Sequence, residues 1–67
     1  MKIDELRKLN DSELSEELEN SIKEHMDLRF KSATMQLADF SQLGKVKKRI
    51  ARIKTIMTER ELVRLIQ

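Results

Sequence analysis

Lys45-Val46-Lys47-Lys48-Arg49-Ile50-Ala51-Arg52-Ile53-Lys54 is the stretch that decides the fold, and with it the chemistry of the chain. It carries six positive charges and no acid, yet its apolar residues keep helical spacing. With Val46 as the zero of a helical wheel, Ile50, Ile53 and Met57 fall within about 40° of it. Lys45, Lys48, Arg49 and Arg52 share an arc roughly 100° wide on one flank. Thr55 lies near the edge of that arc, and Lys47 and Lys54 lie on the other flank. A helix that buries one side and presents a cationic ridge on another suits a polyphosphate backbone, with Arg supplying a bidentate fork and Lys a point charge. A charge run is otherwise simply a solvated face. Here no acid interleaves to neutralise it.

Working outward, Leu43 extends the apolar arc at the front of this helix, and Asp39 or Ser41 is placed to cap it, with Gln42 at N3 if Asp39 is the cap. Gly44 inside the helix costs up to ~1 kcal/mol unless a backbone or a phosphate comes close there. A break is expected around residues 36–40. Before it, a second long helix starts at Asn10 and runs to about residue 35. Leu9, Asn10, Glu13 and Leu14 occupy N′, N-cap, N3 and N4, giving a capping box and a hydrophobic staple. Asp11 and Glu13 favour the positive end of the helix dipole. Leu14, Leu18, Ile22, Met26 and Phe30 recur every four residues as its apolar stripe, which at about 100° per residue drifts slowly around the helix, with Leu28 and Met35 on the edge. Glu19–Lys23 and Asp27–Lys31 are supportive i, i+4 pairs. A short first helix spans about residues 3–8, with Ile3 and Leu6 as its apolar pair. Two long amphipathic helices joined by a short loop pack antiparallel. The expected fold is therefore all-α: a long antiparallel two-helix hairpin with the short N-terminal helix across its open end, one domain over residues 1–67.

The composition sets bounds on function. Of the 67 residues, 39% are charged and 3% aromatic, with no Pro, Trp or Cys and one Gly. So small a core is marginal alone and calls for a partner. Without Cys there is no disulfide, and a single His makes a structural zinc site untenable. The start, Met1 to Glu5, does not read as a signal peptide, and no stretch approaches a membrane span of about twenty apolar residues. Lack of Cys fits a reducing cytoplasm. Residues 1–27 hold nine acids and four bases, a net −5, while residues 28–67 hold ten bases and three acids, a net +7. The C-terminal half is thus the one to face a polyanion. No aromatic residue interleaves with the bases, so shape and phosphate geometry of folded RNA fit better than stacking on splayed bases.

Enzyme machinery is missing from the pattern. No Gly-rich phosphate loop, nucleophile elbow or EF-hand loop occurs. His25 has no metal-ligand or nucleophile partner at useful spacing and reads as a helix-surface or core-edge residue. Glu16-Glu17 reads as a solvated face, and Met1, Met26, Met35 and Met57 as core filler or loop residues. No cofactor, no metal, no small-molecule substrate and no membrane is expected. The apolar tail Leu62-Val63-Arg64-Leu65-Ile66 frays, caps the hairpin or meets a neighbouring protein. Ile56 and Val63, off the main stripe, are candidates for the same contact.

Val46 to Thr55 closely resembles the signature of a bacterial large-subunit ribosomal protein family, the one numbered twenty-nine. That family's basic, aliphatic helix ends in Ala-Arg-(Ile/Val)-Lys-Thr, matched here by Ala51 to Thr55. Glu5-Leu6-Arg7 is similar to its opening helix, Leu28-Arg29-Phe30 to its Leu-Arg-aromatic or Leu-Arg-Met step, and Gln36-Leu37 to its Gly-Gln-Leu turn. The four pieces agree in order and spacing over nearly the whole chain. The resemblance implies a non-enzymatic, cytoplasmic three-helix protein that binds large-subunit ribosomal RNA near the exit of the nascent-peptide tunnel. It also implies a neighbouring ribosomal protein there, with chaperone and targeting factors nearby. It marks Arg29, Gln36, Lys45, Lys48, Arg49, Arg52, Lys54 and Thr55 as RNA-facing. Arg29 otherwise reads as a snorkelling side chain over apolar surface. Met35 stands where the family usually has Gly, so the second helix is expected to end differently or to continue by a turn. Ala38-Asp39-Phe40 is less polar than the family's turn, with Phe40 free to pack back on the hairpin. Two other classes fit the residues without the resemblance: a helical protein-interaction module, such as a homodimeric bundle, and a basic helix lying on anionic lipid.

Overall fold

The computed structural model describes residues 2–36 and 39–66, and these form three helices with no strand. Helix α1 is Ile3–Leu6, α2 is Asp11–Ala33 and α3 is Ser41–Ile66. The two long helices pack side by side and α1 packs on α3, so the expected hairpin and its crosspiece are both present. The molecule is a rod of 49 × 17 × 16 Å. Met1, Leu37, Ala38 and Gln67 lie outside the described residues, and with them part of the expected Gln36-Leu37 turn and the Ala38-Asp39-Phe40 stretch.

Local chemistry accounts for the helix ends. At the start of α2 the Glu13 N–H donates to Asn10 Oδ1 at 2.8 Å, and the Asn10 N–H donates to Glu13 Oε1 at 3.3 Å. This is the capping box read from the sequence. At the start of α3, Asp39 Oδ1 accepts from both the N–H and the hydroxyl of Ser41, at 3.0 and 2.7 Å. Those bonds hold the Asp39 carboxyl below its ordinary pKa, with a smaller contribution from the Lys45 charge. Asp39 thus acts as the cap, one of the two candidates.

Two boundaries differ from expectation. Helix α1 stops at Leu6, not at residue 8, where Arg7 and Lys8 turn the chain towards Asn10. Helix α2 neither runs to residue 35 nor continues by a turn: it ends at Ala33, with Thr34 as its cap. Met35 adopts φ of 59°, the left-handed conformation. Its N–H donates to the Ser32 carbonyl at 3.2 Å, and the Gln36 N–H donates to the Lys31 carbonyl at 2.8 Å. This is the Schellman closure that a glycine ordinarily provides. The orphan carbonyls of the last turn dictate the geometry, and methionine bears its steric cost.

The apolar stripe of α2 is the main correction. Leu14 is fully buried, but Ile22 is 39%, Met26 63% and Phe30 65% exposed. A repeat of four overshoots the helical period by about 40° per step, so the stripe has rotated some 160° by Phe30. The positions that face α3 are instead Leu14, Leu18, Ser21, His25, Leu28 and Ser32, all buried or half-buried. Their alternation of four and three averages 3.6. Leu28 therefore belongs to the seam, not to an edge. Three of these six are polar, and the buried Ser21 hydroxyl has no hydrogen-bond partner among the described residues.

The dense core sits at the open end. Leu6, Leu14, Ile53 and Ile56 are buried together, with Ile3, Leu9, Leu18 and Met57 packed around them. Ile56 is thus covered by α1 and is not available to a neighbour. Val46, Ile50, Ile53 and Met57 face inward as their spacing requires. Phe40 does not pack back on the hairpin and is 60% exposed, and the tail residues Leu62, Val63, Leu65 and Ile66 are exposed too. Charged clips close this end. Arg60 Nη1 donates to Asp11 Oδ1 at 2.9 Å, while its Nη2 donates to the carbonyls of Leu9 and Arg7 at 2.6 and 3.2 Å. Arg64 also donates to Asp11, and Arg7 pairs with Glu59 at 3.2 Å.

Candidate nucleic-acid interface

Helix α3 places Lys45, Lys48, Arg49 and Arg52 at i, i+3, i+4 and i+7, so the four converge on one face. They line a single cleft of about 380 Å³. Lys45, Lys48 and Arg52 are exposed and make no ion pair among the described residues. Arg49 differs. It is half-buried, and its Nη1 donates to Glu24 Oε2 of α2 at 2.8 Å. Among the described residues the cleft therefore gathers four cations with a single acid paired to one of them, a concentration of positive potential.

The other expected positions do not enter this cleft. The Glu24–Arg49 pair reports the register of the hairpin and marks the flank of α2 that adjoins the ridge. Arg29, five residues nearer the loop, lies level with Gly44. It lines a separate depression with Met26 and Phe30, more than 100° around α2 from Glu24. Lys54 projects from the opposite flank of α3 and is exposed. The Thr55 hydroxyl donates back to the Ala51 carbonyl at 2.9 Å. Gln36 is exposed just past the left-handed Met35, its backbone already engaged in closing α2. A methyl group added at Gly44 would meet nothing within 4 Å, so no neighbouring part of the chain accounts for the glycine.

Two residues with structural work at the site escaped the sequence reading. Glu24 has Asn20, Ser21, Asp27 and Leu28 at i±3 and i±4, hence no basic partner on its own helix. That lack was the available signal that its charge is used across the hairpin. Arg60 gave no such signal, because its partners lie about fifty residues away and depend on how α1 docks. Among the described residues no cluster of His, Cys, Asp or Glu could hold a metal ion, and no helix is long and apolar enough to cross a membrane.

Fold and cleft together define a class: small helical hairpins that present a concentrated cationic helix face. The family described as "Ribosomal L29 protein" matches residues 4–60. A protein of Finegoldia magna named "Large ribosomal subunit protein uL29" is 53% identical over 62 residues, covering 92% of this chain and 91% of its own. Proteins of the same name from Thermosipho africanus and Dehalococcoides mccartyi are 52% and 48% identical over 62 residues, each covering 92% of this chain and 94% or 95% of their own. The chain belongs to the ribosomal L29 protein family, whose members are structural and non-enzymatic.

Proposed function

We propose that the chain is an RNA-binding constituent of the large ribosomal subunit, and that the cleft of Lys45, Lys48, Arg49 and Arg52 neutralises phosphates of the large-subunit ribosomal RNA. The observation that carries the reading is the convergence of four cations in one cleft, three of them without an ion pair among the described residues. The names of the relatives support the subunit, and the lack of aromatics among the bases of the cleft supports recognition of a folded backbone over stacked bases. Lys54 and Thr55 on α3, with Arg29 and Gln36 nearer the loop, lie outside the cleft and serve as further contacts to RNA that wraps around the hairpin. A position near the nascent-peptide tunnel exit, beside another ribosomal protein and near chaperone and targeting factors, in the cytoplasm, completes the proposal.

The test is binding of large-subunit RNA stripped of protein, across a salt series. Four neutralised phosphates give a log–log salt slope of about −3 to −4. Lys48→Glu with Arg52→Glu should weaken binding at least tenfold and flatten that slope, with unchanged helix content by circular dichroism. Unaltered affinity in the double variant would end the reading. The exposed apolar stripe of Ile22, Met26 and Phe30 favours a second reading, a helical interaction module. A concentration-dependent dimer in sedimentation equilibrium, with no affinity for the RNA, would select it.

A further inference from the structure

Resting on that reading of the cleft, we infer that Glu24 is a positioning residue: its bond from α2 holds the Arg49 guanidinium in the cleft, with the remaining donors presented to a phosphate. A guanidinium carries five N–H donors in a fixed planar fork. Glu24 takes a bond from Nη1 alone, and the other donors have no partner among the described residues. The side chain of Arg49 lines the cleft and is 27% exposed, whereas Glu24, 48% exposed, is not among the cleft's lining residues and reaches Arg49 from α2. Among the described residues the pair is the one cross-helix ion pair in the loop half of the hairpin. The others, through Arg7, Arg60 and Arg64, lie at the open end. An arginine left free would spread over many rotamers and lose entropy on meeting a phosphate. One already gripped on one side offers its second edge at reduced cost.

Simple charge counting points the other way, which makes the inference testable. Glu24 repels phosphate, so on electrostatics alone its removal tightens binding, whatever replaces it. Positioning instead separates two replacements. Glu24→Gln keeps an oxygen that accepts from Nη1 and removes the repulsion. Glu24→Ala removes the acceptor as well. Affinity of each variant for protein-stripped large-subunit RNA is measured by filter binding, beside its melting temperature without RNA. Expected are a loss of about five-fold for Glu24→Ala, the scale of one charge-assisted hydrogen bond weakened, and affinity at or above wild type for Glu24→Gln. Arg49→Lys, which keeps the charge and loses the fork, should bind as weakly as Glu24→Ala, and combining the two should cost no more than either alone. Both Glu24 variants lose the ion pair, so similar melting temperatures with divergent affinities separate positioning from a purely structural strut. Equal tightening in both variants, or losses that follow the melting temperatures, would overturn the inference while leaving the cleft intact. Absence of RNA binding by the wild-type chain would remove the cleft reading and this inference with it.

Discussion

The two ends of the hairpin are built on different terms. At the open end three helices meet, Leu6, Leu14, Ile53 and Ile56 are sealed together, and Arg60 binds three oxygens at once. At the loop end two helices meet, the seam runs through Leu28 and Val46, and Met26, Phe30, Met35 and Phe40 remain exposed. Stability is concentrated at the first, and the free cations lie in the middle and at the second. A small domain that must keep one surface open to a partner gains by placing its locked core elsewhere.

That contrast can be broken most forcefully at the core. Leu14→Ala should cost about 3 kcal/mol in urea unfolding, whereas Phe30→Ala, from the same four-residue repeat, should change stability by less than about 0.5 kcal/mol. Equal costs would mean that the stripe packs and the contrast is false. Arg60→Ala comes next, at about 1–2 kcal/mol, because it strips donors from the carbonyls of Arg7 and Leu9. Hydrogen exchange should show the loss first in α1. Met35→Gly sharpens the comparison from the loop end. Releasing a left-handed methionine returns about 1–2 kcal/mol and glycine's backbone freedom takes back about 0.5–1, so a net gain near 1 kcal/mol is expected as a rise in melting temperature.

The smallest effect is that of acid. The Arg60 hydrogen bond, helped by the Arg64 charge, holds the Asp11 carboxyl below its ordinary value of 3.8. A depressed carboxyl stabilises the fold above its unfolded value, and that contribution fades as pH falls through the folded value. Melting at the open end should therefore be flat from neutrality to about pH 5 and decline only below the ordinary aspartate range. Asp11→Asn should reduce the decline. A decline already complete above pH 5 would show that Asp11 does not govern it.

How much was legible follows from how local each signal is. The Asn10–Glu13 box spans four residues and could be read outright. So could the inward arc of α3 and the cationic flank beside it, because both follow from 100° per residue. The α2 stripe misled through the same arithmetic: a repeat of four looks helical but drifts, and the polar Ser21, His25 and Ser32 that take its place carry no hydrophobic signature. Ile56 lay off the stripe because the stripe describes contact with one helix, and α1 covers a second side. The Arg49–Glu24 bond needs the register of the whole hairpin, which no local pattern encodes. Resemblance filled one gap and opened another: it marked Met35 as unusual, yet the backbone there behaves as glycine's would.

The rod also has a mechanical reading. Its fulcrum is the sealed core around Ile53, and from there to Ser41 the arm of α3 extends about 18 Å. A splay of only about 5° at the fulcrum would displace the tip by roughly 1.5 Å, half a hydrogen-bond length. Between fulcrum and tip the arms share the seam of Leu28 and Val46 and, among the described residues, one ionic tie, Glu24 to Arg49, so the same bond that aims a cation also spans the gap between the arms.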